Sequence, residues 1–175
     1  MSRRLFAVFL ALSAAALTSC SDGGGTALGG SLQTYGISGF DHAQVGDEYW
    51  VSLPQMSNTS GEPLTVLSGK IAHVPAGLHI TGYRINSSGG GGHPLGPIRV
   101  GDAEAVDRAG AHKGSSIPVK AHDTSDLYYE ARVKVTGTVR GDLTTCRYTY
   151  RQGSTTYHQD LRCDTRIRLG KPLDG

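Results

Sequence analysis

Alternation of apolar and polar residues is the dominant pattern of the chain, and it is clearest in the C-terminal third. From Leu127 to Arg140 the odd-numbered positions are apolar and the even-numbered positions are mostly polar. A period of two over this length indicates a β-strand with one face buried. The pattern places the side chains of Tyr128 and Glu130 on the outward face of that strand.

A second alternating stretch predicts a β-hairpin after this strand. Two sets of positions each share an apolar face: Cys146, Tyr148 and Tyr150, and then Leu161, Cys163, Ile167 and Leu169. A hairpin centred on Ser154-Thr155 places Cys146 directly opposite Cys163, and both lie on the apolar face. We therefore predict a Cys146–Cys163 disulfide with a structural role, which stabilises the fold by roughly 2–4 kcal/mol.

Shorter strands precede the hairpin, separated by turns rich in Gly, Pro and Asn. The strand that begins at Leu64 changes its alternation phase at Ser68-Gly69, which indicates a β-bulge. Residues 103–109 are the one stretch that favours a helix, and Ile117–Val119 is an expected edge strand. Many short strands with hardly any helix predict an all-β, antiparallel β-sandwich.

The segment Asp123–Tyr129 resembles the corner that precedes the penultimate strand of immunoglobulin domains. The Cys-Trp-Cys spacing typical of those domains is absent from this chain. The resemblance implies an Ig-like arrangement of the sandwich.

The first twenty residues have the pattern of an export signal. Arg3 and Arg4 precede an apolar run that is too short to span a bilayer, and small residues follow it. The sequence Leu17-Thr18-Ser19-Cys20 resembles the lipobox of bacterial lipoproteins. The resemblance implies cleavage before Cys20, a diacylglycerol on its thiol, and a location on the extracytoplasmic face of the cell membrane. The alternative is an ordinary secretory signal, with Cys20 unmodified and the protein diffusible.

The signal divides the chain into three parts. Residues 1–19 form the expected signal peptide. Residues 20–31 are rich in glycine and serine, which predicts a flexible tether behind the lipidated Cys20. Residues 32–175 have a length that suits a single domain. If the Cys20 thiol is lipidated, it cannot form a disulfide. Cys146 and Cys163 then remain as an even pair, which is in keeping with an oxidising compartment.

The charge balance argues against a nucleic-acid partner. The 17 basic residues include Arg3 and Arg4, so the mature chain has 15 basic and 15 acidic residues. The distribution is uneven: residues 20–130 carry 6 basic and 11 acidic side chains, and residues 131–175 carry 9 and 4. This asymmetry predicts attraction between oppositely charged strands, or a basic binding face.

Five arginines are the candidate binding residues. Their positions in the hairpin strands place them opposite the apolar face: Arg147, Arg151, Arg162, Arg166 and Arg168. Such a patch would suit another envelope protein or a wall polysaccharide. The alternative is a solvated outer face that Asp160 and Asp164 neutralise. Tyr128, Tyr157 and Trp50 are aromatic candidates for an exposed contact surface.

Motifs for catalysis are absent from the sequence, including the nucleophile elbow, the phosphate-binding loop and paired zinc-type cysteines. The expected function is therefore non-catalytic binding or a structural role in the cell envelope, without a cofactor or metal. The alternative is a hydrolase or metal-dependent enzyme whose site is assembled from His73, His79 and Asp123. In that case His73 and His79 would meet across a Pro-Gly turn, and residues 123–126 would hold calcium instead of forming an Asx-turn.

Overall fold

The computed structural model describes residues 23–30, 38–88, 96–102 and 114–172. The signal peptide, Cys20 and the expected helix at 103–109 lie outside these ranges. The described strands, in chain order, are β1 Gly23–Gly24, β2 Leu28–Gly30, β3 Ser38–Ala43, β4 Glu48–Ser52, β5 Met56–Asn58, β6 Leu64–Ile71, β7 Ala76–Ser87, β8 Ile98–Arg99, β9 Ile117–Val119, β10 Leu127–Arg140, β11 Leu143–Gln152 and β12 Thr155–Leu169. A short 3₁₀ turn covers Val100–Asp102.

The strands form two larger sheets and one small ribbon, which confirms the all-β, mainly antiparallel class. The first sheet has the order β1-β12-β11-β6-β9, with β3 also paired to β12, and β9 lies at its edge as predicted. The second sheet has the order β7-β10-β4-β8, and β2 pairs with β5. Two pairings, β1 with β12 and β3 with β12, are parallel.

The core lies between the two larger sheets and is rich in tyrosine. Tyr129 of the second sheet and Tyr148 of the first meet edge to face, with 6.4 Å between ring centroids. The buried Tyr148 hydroxyl donates to the Pro54 carbonyl at 2.8 Å, so its polar end is satisfied inside the core. Burial raises the pKa of Tyr148 well above its usual value, which keeps the phenol neutral.

The predicted disulfide is confirmed, although the hairpin register differs from the predicted one. Cys146 and Cys163 are bonded, with 5.8 Å between their Cα atoms. The turn is centred on Gly153-Ser154, so Cys146 pairs with Leu161 instead of Cys163. Gly153 adopts a positive φ of 57°, which a two-residue hairpin turn favours and which moves the turn one residue earlier. The disulfide therefore joins diagonal neighbours.

The predicted bulge in β6 is present. Thr149 pairs with Ser68 and Tyr150 with Val66, which leaves Leu67 as the extra residue. Leu67 consequently points outward and is 36% exposed, while Ile71 is buried.

The outward positions at the start of β10 are not exposed. Tyr128 and Glu130 are each 1% exposed, so the prediction that they face solvent is wrong. Their cross-strand neighbours on β7 are Asn86 and Arg84, whose side chains lie on the same side of the sheet. The Glu130 carboxylate accepts bonds from Arg84 and Asn86. A polar network therefore covers this part of the outer face.

The tether prediction is wrong for residues 23–30. β1 pairs with Tyr157 and His158, and Ala27 and Leu28 are buried in the core. The Ala27 backbone N–H donates to the Tyr150 hydroxyl at 3.1 Å. A Cβ atom at Gly25 would lie 2.1 Å from the same hydroxyl, so glycine permits the close approach of this segment. Gly25 therefore serves close packing against the core.

Candidate functional site

The strongest candidate surface is the outer side of the first sheet, where β6, β11 and β12 lie side by side. We call it the basic face, and it consists of Lys70, Arg147, Arg151 and Arg162, all of which are exposed. Lys70 lies directly across from Arg147, and Arg147 lies directly across from Asp160, so these three form one row across the sheet. Arg151 is four residues from Arg147 along the same strand, roughly 13 Å away.

Acidic partners neutralise part of the basic face, as the solvated alternative predicted. Arg147 forms a two-pronged ion pair with Asp160, at 2.8 and 2.9 Å. This pairing lowers the pKa of Asp160, with a smaller contribution from His73. Arg162 is paired with Asp164. Within the described ranges, Lys70 and Arg151 have no ion pair to a carboxylate.

The other two predicted arginines lie further along β12 and are engaged locally. Arg168 donates to the Asp142 carboxylate at 2.6 Å and to the Gly141 carbonyl at 2.8 Å, so it ties β12 to the β10–β11 turn. Arg166 is half-buried and packs against Gly39 of β3. Of the five predicted arginines, Arg147, Arg151 and Arg162 are exposed and belong to the basic face, whereas Arg166 and Arg168 are half-buried.

A shallow depression lies beside the basic face. Its volume is about 600 Å³, and its lining consists of Gly25, Arg147, His158, Gln159 and Asp160. Gln159 is fixed by β2, because its side-chain amide accepts a bond from the Leu28 N–H at 3.0 Å. The depression thus combines a paired guanidinium, a carboxylate and an imidazole on one rim.

The charge asymmetry between the two parts of the chain has a limited structural role. Of the described ion pairs, those that Glu48 forms with Arg132 and Lys134 join the acidic part to the basic part. The arginines of the hairpin pair instead with carboxylates of the C-terminal part itself. The excess positive charge is therefore left largely at the C-terminal strands.

The residues of the enzyme alternative are not brought together. β6 and β7 belong to different sheets, so the turn at Pro75 does not form a hairpin and His73 does not face His79. Asp123 lies beside β5, where its carbonyl accepts the Asn58 N–H, and the Asn58 side chain donates to the Glu62 carbonyl just before the start of β6. His73 follows the end of β6. The eight residues of β6 separate these ends by roughly 25 Å. No group of three metal-ligating side chains occurs in the part of the chain that the structure describes.

The oxygen-rich segment 123–126 caps backbone groups. The Asp123 carboxylate accepts the Thr124 N–H at 2.8 Å, and the Ser125 hydroxyl accepts the Leu127 N–H at 2.9 Å. The Ser125 bond spans two residues and is that of a Ser turn at the start of β10, whereas the Asp123 bond reaches only the next residue. They favour the turn interpretation over a calcium site.

The predicted exposed aromatics are mostly covered. Tyr128 is buried, Tyr157 stacks on Tyr150 with 5.4 Å between ring centroids, and the Arg84 guanidinium lies 3.8 Å from the Trp50 ring centroid. Burial raises the pKa of Tyr128, and the nearby Glu130 carboxylate raises it further. Burial removes Tyr128 from any contact surface, whereas Trp50 and Tyr157 remain partly exposed.

Sequence reasoning missed a cleft between the edges of the two sheets. Its volume is about 400 Å³ and it is lined by Phe40, His42, Tyr49, Pro97, Ile98, Arg99, Asp102 and Pro172. These residues come from β3, β4, β8 and the C-terminal segment, which are distant in sequence. Nothing in the sequence joins Phe40 and Tyr49 to Arg99, because these residues meet only through tertiary contacts.

In the described residues, no helix is long and apolar enough to cross a membrane. Comparisons with protein-family models, curated proteins and solved structures find no match to this chain.

Proposed function

We propose that this chain is a lipid-anchored, extracytoplasmic binding domain of the cell envelope, and that its ligand is an acidic wall polysaccharide. The basic face carries the proposal, because Lys70 and Arg151 are exposed cations without an ion-paired carboxylate among the described residues. Arg147 adds a guanidinium at the rim of the depression. Such a surface attracts a polyanion over several ångströms in water.

The scarcity of exposed apolar side chains on the basic face favours a polysaccharide over another envelope protein. Protein interfaces depend on a desolvated core with aromatic or aliphatic anchors. On the described outer side of β6, β11 and β12, Leu67 is the one large apolar side chain that is exposed. A flexible, hydrated polyanion needs no such anchor, because spaced positive charges suffice to hold it.

The location rests on the lipobox resemblance of residues 17–20, and the Cys146–Cys163 disulfide supports an oxidising compartment. Intact mass spectrometry of the protein extracted from host membranes tests both. The expected mass corresponds to cleavage before Cys20 plus lipid, and reduction of the disulfide adds the mass of two hydrogen atoms. An unlipidated mass in the culture medium would show that the protein is a diffusible secreted factor.

The finer fold assignment is part of the proposal. An Ig-like sandwich is supported by the way in which the chain passes between the two larger sheets at β6–β7, β9–β10 and β10–β11. Such crossings are typical of Greek-key sandwiches. The parallel pairings of β1 and β3 with β12 are additions to a strictly antiparallel arrangement.

Affinity electrophoresis tests the proposed ligand. The mature domain is run through native gels that contain polygalacturonate as the acidic polymer or dextran as the neutral one. We expect polygalacturonate to retard the wild-type domain and dextran not to do so. Retardation should weaken as the salt concentration rises, because exposed charges are screened.

The critical variant is Lys70→Gln combined with Arg151→Gln. The matched control is Lys134→Gln combined with Arg140→Gln on the second sheet, which also removes one lysine and one arginine charge. We expect the first variant to lose most of the retardation and the control to keep it. Equal loss in both would mean that net charge alone is responsible, and no loss in either would refute the basic face as the binding site. Binding to an envelope protein without binding to polygalacturonate would also refute the proposal.

A further inference from the structure

We infer that the cleft between β3 and β8 is a second binding site, and that its ligand is a neutral sugar unit of an oligosaccharide. This inference does not rest on the basic face, because none of the residues that define that face lines the cleft. Three properties of the cleft support a sugar ligand: its position, its aromatic floor and its arrangement of polar groups.

The cleft is formed where the edges of the two sheets meet. Tyr49 of β4 lies directly across from Arg99 of β8, so both side chains project from the same side of the second sheet. Phe40 of β3 approaches from the first sheet and contacts the Tyr49 ring, with 5.3 Å between centroids. A volume of about 400 Å³ falls in the range of small-ligand sites.

Aromatic rings form the floor of the cleft. Phe40 packs against Tyr49 on one side and against the His42 ring on the other, with 6.0 Å between the Phe40 and His42 centroids. Phe40 remains half-exposed, whereas Tyr49 is fully buried. The accessible ring of Phe40 offers a flat apolar surface. The C–H face of a pyranose ring can bury its apolar area on such a surface while its hydroxyls point to the rim.

The polar groups at the rim provide both donors and acceptors. Arg99 is held in place because its Nη2 donates to Asp47 Oδ2 at 2.7 Å. The Arg99 guanidinium has five N–H donors, so most remain for a ligand. The His42 Nδ1–H donates to the Lys171 carbonyl at 2.8 Å, which leaves Nε2 as the acceptor of the neutral ring. Asp102 adds a carboxylate acceptor. Sugar hydroxyls donate and accept, and this mixture suits them.

The Asp47 network makes the arrangement rigid. The same Asp47 oxygen also accepts the Tyr49 hydroxyl at 2.9 Å and the Gln44 N–H at 2.8 Å. Burial raises the pKa of Tyr49 to about 12, with the bond to Asp47 as the next cause, so the hydroxyl stays a donor at neutral pH. Arg99 is thus positioned before a ligand arrives, which reduces the entropy lost on binding.

The charges around the cleft exclude strongly charged ligands. Asp47 neutralises Arg99 from outside the cleft lining, and the Asp102 carboxylate at the rim disfavours a phosphate or carboxylate ligand. The Arg99 guanidinium, with 47% of its side chain exposed, disfavours a cationic one. A neutral polyol avoids both of these unfavourable charge interactions. The cleft therefore differs in specificity from the basic face.

Titration by two-dimensional NMR tests this inference. The probes are chitotriose, cellotriose, maltotriose and mannotriose, added to the ¹⁵N-labelled mature domain. We expect at least one trisaccharide to bind, with chemical-shift changes at the amides of Phe40, His42 and Arg99. Absence of binding by all four, or shifts confined to other surfaces, would overturn the inference.

Two variants and one control complete the test. Phe40→Leu keeps an apolar side chain but removes the ring, and we expect affinity to fall about tenfold. Arg99→Gln removes the guanidinium from an exposed position, so folding is retained, and we expect a similar loss. Tyr83→Leu removes a half-exposed ring from a different surface and should leave affinity unchanged. Unchanged affinity in both Phe40→Leu and Arg99→Gln would overturn the inference even if a trisaccharide binds.

Discussion

Replacement of Glu130 by glutamine should destabilise the domain more than any other single charge removal on the second sheet. The Glu130 carboxylate is 1% exposed and accepts the Arg84 Nε–H at 2.6 Å. Removing one partner of a buried ion pair costs roughly 3–5 kcal/mol, because the other charge stays buried. The Arg84 side chain is 21% exposed and also contacts Trp50, so its charge is partly solvated after the substitution. We therefore expect a cost at the lower end of this range, about 3 kcal/mol.

Urea denaturation at neutral pH, followed by tyrosine and tryptophan fluorescence, measures this cost. Glu48→Gln is the matched control, because its partners Arg132 and Lys134 are 42% and 45% exposed, and it should cost no more than about 1 kcal/mol. The double variant Glu130→Leu, Arg84→Met removes both charges and should be more stable than Glu130→Gln alone. A cost below about 1 kcal/mol for Glu130→Gln, or strict additivity with Arg84→Met, would refute the assignment of a coupled buried pair.

Three further predictions follow from the packing and from the acidic groups. Replacement of both Cys146 and Cys163 by alanine should lower the free energy of unfolding by roughly 2–4 kcal/mol in the same urea assay, and an unchanged midpoint would contradict this. Gly69→Ala should cost about 1–3 kcal/mol, because its Cβ would lie 2.8 Å from the rings of Tyr129 and Tyr148, whereas Gly82→Ala meets no atom within 4 Å and should be tolerated. Desolvation acts to raise the pKa of Asp47, but bonds from Gln44, Arg99 and Tyr49 outweigh it, and the net pKa is lowered. The stability from Asp47 is therefore present above its ordinary pKa of 3.8 and is lost as the pH falls through the lower folded value, so Asp47→Asn should flatten the acid limb of a thermal-melt profile.

The sequence predicted those features that depend on alternation within one strand or between adjacent strands. The hairpin of β11 and β12, its apolar face and the disulfide are of this kind, because side-chain direction in a strand follows directly from residue parity. The register was wrong by one turn position, since parity does not reveal which residue takes the left-handed conformation. In this hairpin it is Gly153 that takes the left-handed conformation.

Features that depend on which strands become neighbours were not predictable in this way. The turn at Pro75 looks like a hairpin turn in sequence, yet it carries the chain from one sheet to the other, so His73 and His79 separate. Glu130 stands at a polar position of the alternating pattern of β10. Its burial depends on Arg84 and Asn86, which lie on a strand more than forty residues earlier. Neither the cleft nor the buried ion pair has a signature that a single sequence can display, because both arise from tertiary contacts.

The packing of β1 changes how a lipid anchor at Cys20 would hold the domain. Three Cα–Cα steps separate Cys20 from Gly23, so an anchor at Cys20 would lie within about 11 Å of a residue that is paired with Tyr157. The domain would then sit directly at the bilayer, and Gly25 at the rim of the depression would bring the basic face close to the membrane surface. A wall polymer must in that case approach from the side. Insertion of a flexible twelve-residue Gly/Ser segment between Asp22 and Gly23 should therefore increase polymer capture by the anchored protein. The same insertion should leave the affinity of the soluble domain unchanged, and an equal effect on both forms would contradict this geometry.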